Sequence, residues 1–171
     1  MFHEGDATSI LGDLREVMSS LRRQLLALQR FSELSSESRA FLARAWLAVP
    51  VVELSLAVVG VRGTLRWMEL LPSAGAARSA RTVTSVTEGA RLVRAACRRH
   101  PLAGACLPQA LLQYLLHRRD GVPVRVVIGV RRDDADLDAH AWVEAQRSDA
   151  PSAPAEEFAP ILVWSSPEAR P

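Results

Sequence analysis

The order of apolar and polar positions splits the chain into a helical first part and a strand-rich last third. Between Gly5 and Arg30, Leu11, Leu14, Met18, Leu21, Leu25 and Leu28 recur at steps of three and four, with mostly charged or polar residues between them. That spacing lines one face of a helix over residues 10–28. Such a helix is marginal alone in water, so its stripe must bury against the core or against a partner. Residues 32–38 form a polar break in which Ser36 is placed to cap the next helix. From Phe41 to Leu71 the chain is strongly apolar, which predicts buried helices, kinked or interrupted near Pro50, where proline removes a backbone donor. Residues 72–81, rich in Ala, Ser and Gly, predict a connector.

Residues 84–99 return to helical spacing, with Val86, Ala90, Val93 and Cys97 on one side and Arg91, Arg94 and Arg98 mostly on the other. His100-Pro101 ends that helix, because the residue before proline is pushed out of helical geometry. Cys106 then opens a second apolar run to His117, with Gly121 as its stop. The texture changes at residues 122–130 (VPVRVVIGV), dense in β-branched residues and too short for a core helix, hence a strand. Residues 131–138 read as a charged loop. Residues 139–145 (AHAWVEA) alternate, Ala139, Ala141 and Val143 facing one way and His140, Trp142 and Glu144 the other, as in a strand. A Pro-rich break at 150–154 precedes a last apolar segment, ILVW at 161–164. Helices first and a small antiparallel sheet last make an α+β fold.

Length and composition narrow this picture. At 171 residues and 18.7 kDa the chain accommodates one domain with an appendage, here residues 1–35 followed by a domain over 36–171. Hydrophobic residues at 49% against 23% charged exclude a disordered chain. The positive side is all arginine, and a net charge of +2 does not imply a nucleic-acid surface. The nearly apolar stretch 45–61 contains Pro50, Glu53 and Gly60 and falls short of the roughly 20 apolar residues of a membrane span, so no transmembrane span is expected. The acids at the start of the chain lack the basic flank of an export signal. With only Cys97 and Cys106 as cysteines, a reduced cytoplasm is the expected setting and both thiols are candidates for chemistry.

Cys106 stands at a loop-to-helix boundary, where unpaired amides and the helix dipole favour thiolate over thiol. Pro108 fits the first turn, where its missing donor costs nothing. The alternative is a small buried hydrophobe. His140 projects from mid-strand beside Trp142, and a helix start packed near it would bring a base to Cys106; alone, His140 reads equally as a structural histidine. Asp134, Asp136 and Asp138 alternate like a calcium loop but lack its glycine and its twelfth-position glutamate, so they read as a solvated hairpin. His100 reads as a helix-end cap, Cys97 as core, and His3 and His117 have no companion ligands at metal spacing. Trp46, Trp67 and Trp164 read as core, and Trp142 as a wall of the site.

The helix CLPQALLQYLLHRRDG, the strand VPVRVVIGV and the segment AHAWVE, in this order, resemble the transglutaminase-like cysteine fold. More narrowly they resemble the leader peptidases of lasso peptide biosynthesis, the free-standing protease component related to microcin-maturing enzymes. The resemblance covers residues 83–163 and, in general character, the helical stretch 40–71; residues 1–35 lie outside it. It divides the domain into a helical part at 36–81 and a catalytic core at 82–164. It implies Cys106 as nucleophile, His140 as its base, and a downstream acid that orients the imidazole. Relatives place that acid as an aspartate on the next strand, where this chain has Ser152. Asp149, nine residues after His140, is the expected third member, with Glu156 and Glu157 as alternatives. Glu144 belongs to the HAWVE run and looks structural. The resemblance further implies removal of the leader from a lasso precursor peptide, a small leader-recognition protein and an asparagine-synthetase-like cyclase as partners, and no cofactor or metal. Acyl transfer of the transglutaminase or arylamine acetyltransferase type, or a non-catalytic scaffold for precursor and cyclase, are the other readings.

Overall fold

The computed structural model describes residues 33–72, 84–133, 136–146 and 157–165, together with Met18 and Arg22. The chain divides into two units, Met1–Arg39 and Ala40–Pro171. Of the amphipathic stretch at 10–28, Met18 is helical and 69% exposed, while Leu14, Leu21 and Leu25 lie outside the described residues. The connector expected at 72–81 also falls almost wholly outside them.

Helix α1 spans Ser36–Leu70 and is broken at Gly60, where φ is 66° and ψ −175°. Position 60 is a glycine because positive φ costs other residues a clash with their own Cβ. The break reverses the chain. Trp67 Nε1 donates to Ser55 Oγ, which also shares a 2.8 Å hydrogen bond with Thr64 Oγ1, so residues on opposite sides of Gly60 clasp each other. A straight helix would hold Arg44 and Glu69, 25 residues apart, about 37 Å from one another. Yet Arg44 grips Asp120 in a two-pronged ion pair at 2.6 and 2.9 Å, and Arg118, two residues earlier, donates to the Glu69 and Leu71 carbonyls at 2.8 and 2.7 Å. The helix therefore runs through Pro50 and turns at Gly60, which corrects the interruption expected at proline. Its cap is corrected too: Ser35, one residue earlier than expected, accepts from the Ser38 amide at 3.1 Å.

Phe41, Ala45, Val49 and Val52 form the buried face of the first arm, while Leu47, Val51, Leu54 and Val58 lie exposed on the other. The expectation of buried helices thus holds for one face of this arm. By length and composition α1 could cross a membrane; two of its carboxylates are committed within the domain, Glu53 to the Gly104 amide and Glu69 to Trp164 Nε1 at 2.9 Å.

Helix α2, Val86–Cys97, is capped by Ser85, whose hydroxyl accepts from the Glu88 amide. Helix α3, Cys106–Arg119, is the central element: every residue from Ala110 to Arg118 is buried. That pattern belongs to a helix covered on all sides, here by α2 and by the sheet. Gly121, at φ 77°, ends it, with the Gly121 amide on the Arg118 carbonyl and the Val122 amide on the His117 carbonyl.

Three antiparallel strands follow, β1 at Val124–Asp133, β2 at Asp136–Ala145 and β3 at Ala159–Ser165, in the order β2-β1-β3. Most of the charged loop expected at 131–138 is strand. Its charges pair across the hairpin: Arg131 sits opposite Asp138 in the register and bonds it at 3.0 Å, the cross-strand arrangement that favours opposite charges. Among the described residues the architecture is three helices followed by a small antiparallel sheet, the α+β arrangement expected from the sequence.

Candidate active site

Helix α3 begins at Cys106, with Ala105 at the N-cap and no side-chain cap. Orphan donors in a first turn have no intrahelical acceptor, and Pro108 has no donor to offer, so the amides of Cys106 and Leu107 stand at the start of the helix. The turn before them is fixed from two directions. Glu53 of α1 accepts from the Gly104 amide, and Gln109 Nε2 donates to the Gly104 carbonyl at 3.2 Å. The Cys106 thiol is half-buried, and its Sγ lies 3.9 Å from the Ala139 carbonyl, one residue before His140 on β2.

Cys106 and His140 line one cavity of about 280 Å³. One wall is apolar, from Val86, Ala90 and Val93 of α2 and Ala141 and Val143 of β2, and Arg94 stands among these groups. Gln113 Nε2, donating to the Val86 carbonyl at 2.7 Å, ties the wall of α2 to α3. His140, expected in reach of Cys106, lines the same cavity and comes from a different element.

The His140 ring is set by aromatic neighbours. It stacks on Trp142 at 6.0 Å between centroids and 17° between planes, and meets Phe158 at 5.4 Å. Gly129 is the direct β1 partner of His140, and a Cβ there would come within 2.9 Å of both the Trp142 and Phe158 side chains. The glycine makes room for the rings that hold the imidazole, and the β1–β3 register shifts between Ile128 and Gly129 at the same point. Trp142, Val127 and Phe158 form one buried cluster.

The acids sort differently. Glu144 accepts from Trp142 Nε1 at 2.8 Å and from Arg125 Nε at 2.8 Å, which supports its structural reading. Glu157 is held by Arg131 at 2.9 Å, the same guanidinium that bonds Asp138 and lies over the Phe158 ring at 4.8 Å. Asp149 and Glu156 lie outside the described residues.

Two other candidates are withdrawn from chemistry by their surroundings. Burial, with the Glu53 carboxylate adding to it, pushes the Cys97 thiol up, which keeps it protonated. His117 is fully buried against Phe41, with neither ring nitrogen hydrogen-bonded among the described residues, and burial lowers it to about 4. His100 accepts the Leu102 amide on Nδ1 at 3.2 Å and meets Trp46 edge-on at 5.0 Å. Trp46 is 46% exposed rather than core, and Trp67 and Trp164 are half-buried. Among the described residues no group of acids, histidines and cysteines could hold a metal ion.

Sequence reasoning missed Glu53, Gly104, Gln109 and Gly129. The available signal was Glu53 itself, a lone carboxylate in an apolar run, which spoke only against membrane insertion until the structure gave it a partner.

Residues 45–163, more than half of the chain, match the family described as the transglutaminase-like superfamily, over a span that takes in Cys106, His140, β1, β2 and most of β3. No curated protein and no solved structure matches the chain. That match covers most of the chain, and the chain belongs to the transglutaminase-like superfamily.

Proposed function

We propose that this protein is a cysteine peptidase that removes the leader from a lasso peptide precursor, with Cys106 as nucleophile, His140 as general base and acid, and Asp149 orienting the imidazole. The observation that carries the reading is the convergence of Cys106 and His140 on one cavity, from the start of a helix and the middle of a strand. The Cys106 thiolate attacks the carbonyl of the last leader residue, and the amides of Cys106 and Leu107 stabilise the oxyanion. His140 gives its proton to the leaving amine as the C–N bond breaks, so the core peptide departs with a free N-terminus. Water then loses a proton to His140 and cleaves the thioester, releasing the leader carboxylate and restoring the thiol. The peptide would arrive with a small leader-recognition protein in the cytoplasm, and the freed product would pass to an asparagine-synthetase-like cyclase.

Acyl transfer to an amine is the second reading, because the superfamily holds acyltransferases that use the same residues; the two differ in whether water or an amine resolves the thioester. Mass spectrometry of precursor incubated with the protein and its recognition partner, with and without added primary amine, tests both. A free leader carboxylate is the expected product. A leader capped by the amine in preference to water indicates the acyltransferase, and cleavage by Cys106→Ala ends both readings.

A further inference from the structure

Glu53 interrupts an apolar stretch of α1, where a carboxylate is costly to desolvate unless something compensates it. Its compensation lies in the segment between α2 and α3. Trp46 and Glu53 are seven residues apart, two helical turns, and so share a face of α1. Trp46 meets His100, which opens this segment, and Glu53 accepts from the amide of Gly104, which closes it. From the other side Gln109 donates to the Gly104 carbonyl. Both polar groups of residue 104 are therefore committed, two residues before Cys106. A side chain there would displace the contact: a Cβ at Gly104 would stand 2.9 Å from Glu53 Oε1 and 2.9 Å from Pro108 Cγ. The carboxylate also adds to the upward push on the Cys97 thiol at the end of α2.

We infer that Glu53 is a positioning residue for Cys106: by holding the Gly104 peptide it fixes the direction in which the thiol and the first amides of α3 face the cavity. The inference rests on the reading of Cys106 as nucleophile, but not on the identity of the peptide. Donors aimed at a developing oxyanion work only when held close to the productive geometry, and a small misplacement from a distant change lowers the rate far more than it lowers binding.

Two readouts separate the ideas. The first is acetylation of Cys106 by p-nitrophenyl acetate, in which sulfur takes the acetyl group and p-nitrophenolate leaves, followed by intact mass and peptide mapping. The second is kcat and KM for precursor cleavage. Glu53→Ala should slow acetylation and lower kcat by at least about tenfold with KM within about twofold. Glu53→Gln, whose carboxamide oxygen can accept the same hydrogen bond, should stay within about threefold of the parent. Gly104→Ala, which intrudes on the contact without removing Glu53, should resemble Glu53→Ala and keeps the test decisive if that variant does not fold. Acetylation of Glu53→Ala or Gly104→Ala at the parent rate overturns the inference, as does a Glu53→Gln variant as slow as Glu53→Ala. A parent protein acetylated at Cys106 yet inert on precursor sinks the leader-peptidase reading and leaves Glu53 tested by the ester alone. No acetylation of the parent at Cys106 sinks both.

Discussion

The two ends of α3 carry a reactive type of side chain each and treat it in opposite ways. At the first turn Cys106 opens onto a cavity that His140 also lines, at a helix start that no side chain caps. In the last turn His117 is sealed among Phe41, Gly89 and the middle of the helix layer, with no hydrogen-bond partner for either nitrogen among the described residues. One imidazole lines that cavity from the middle of β2. The other is kept neutral by removal from water, although Asp120 nearby pulls the opposite way. What separates the two histidines is the element that delivers each, since nothing about the residue type differs.

The largest effect should come from removing the open end. Cys106→Ala and His140→Ala should each lower precursor cleavage by at least about a thousandfold, while Cys97→Ala stays active; mass spectrometry of the products decides, and an active His140→Ala would erase the contrast. Next, Asp149→Asn should lower kcat by about a hundredfold, more than Glu156→Gln or Glu157→Gln. Steady-state kinetics of the three variants assigns the third acid, and a larger loss at Glu157 would move the assignment there.

The sealed end should speak through stability. His117 ordinarily titrates at 6.5 and is lowered to about 4 in the fold, so the unfolded chain binds the proton first as pH falls. The stabilisation is complete above pH 6.5 and is lost as pH drops toward 4, about 2 kcal/mol of it between pH 7 and 5. Urea midpoints at the two pH values should show this loss in the parent, and His117→Leu should remove most of it. An unchanged slope in the variant would mean that His117 is not the titrating group. Smallest of all, Gly121→Ala should cost about 1 kcal/mol at the positive-φ stop of α3, read as a drop of a few degrees in Tm with activity retained.

Much of the open end was legible because its signals are local. A Gly-containing loop, a cysteine and a first-turn proline mark the start of α3, and strict alternation assigns His140 and Trp142 to one face of β2, as the register bears out. What escaped depends on contacts distant in sequence. Pro50 looked like the interruption, but buried Val49 and Val52 flank it and carry the helix through, whereas Gly60 turns the chain with nothing local to distinguish it. Residues 131–138 looked like a loop because their charges were counted without the partners they meet across the hairpin. Trp46 looked like core until its neighbour proved to be His100.

The pairing of β1 with β2 has a consequence for how the chain can vary. His140 is flanked by Ala139 and Ala141, and a strand presents alternate residues to alternate faces, so sliding β2 by a single position against β1 would put an alanine where the imidazole stands. The same slip would carry Trp142 out of its cluster with Val127 and Phe158, so the register that places the imidazole also keeps that apolar packing. Insertions or deletions between Asp133 and Asp136 that shift the pairing by one should therefore cost stability and the geometry of the cavity together, and a survey of length variants there, read by Tm, would show the loss.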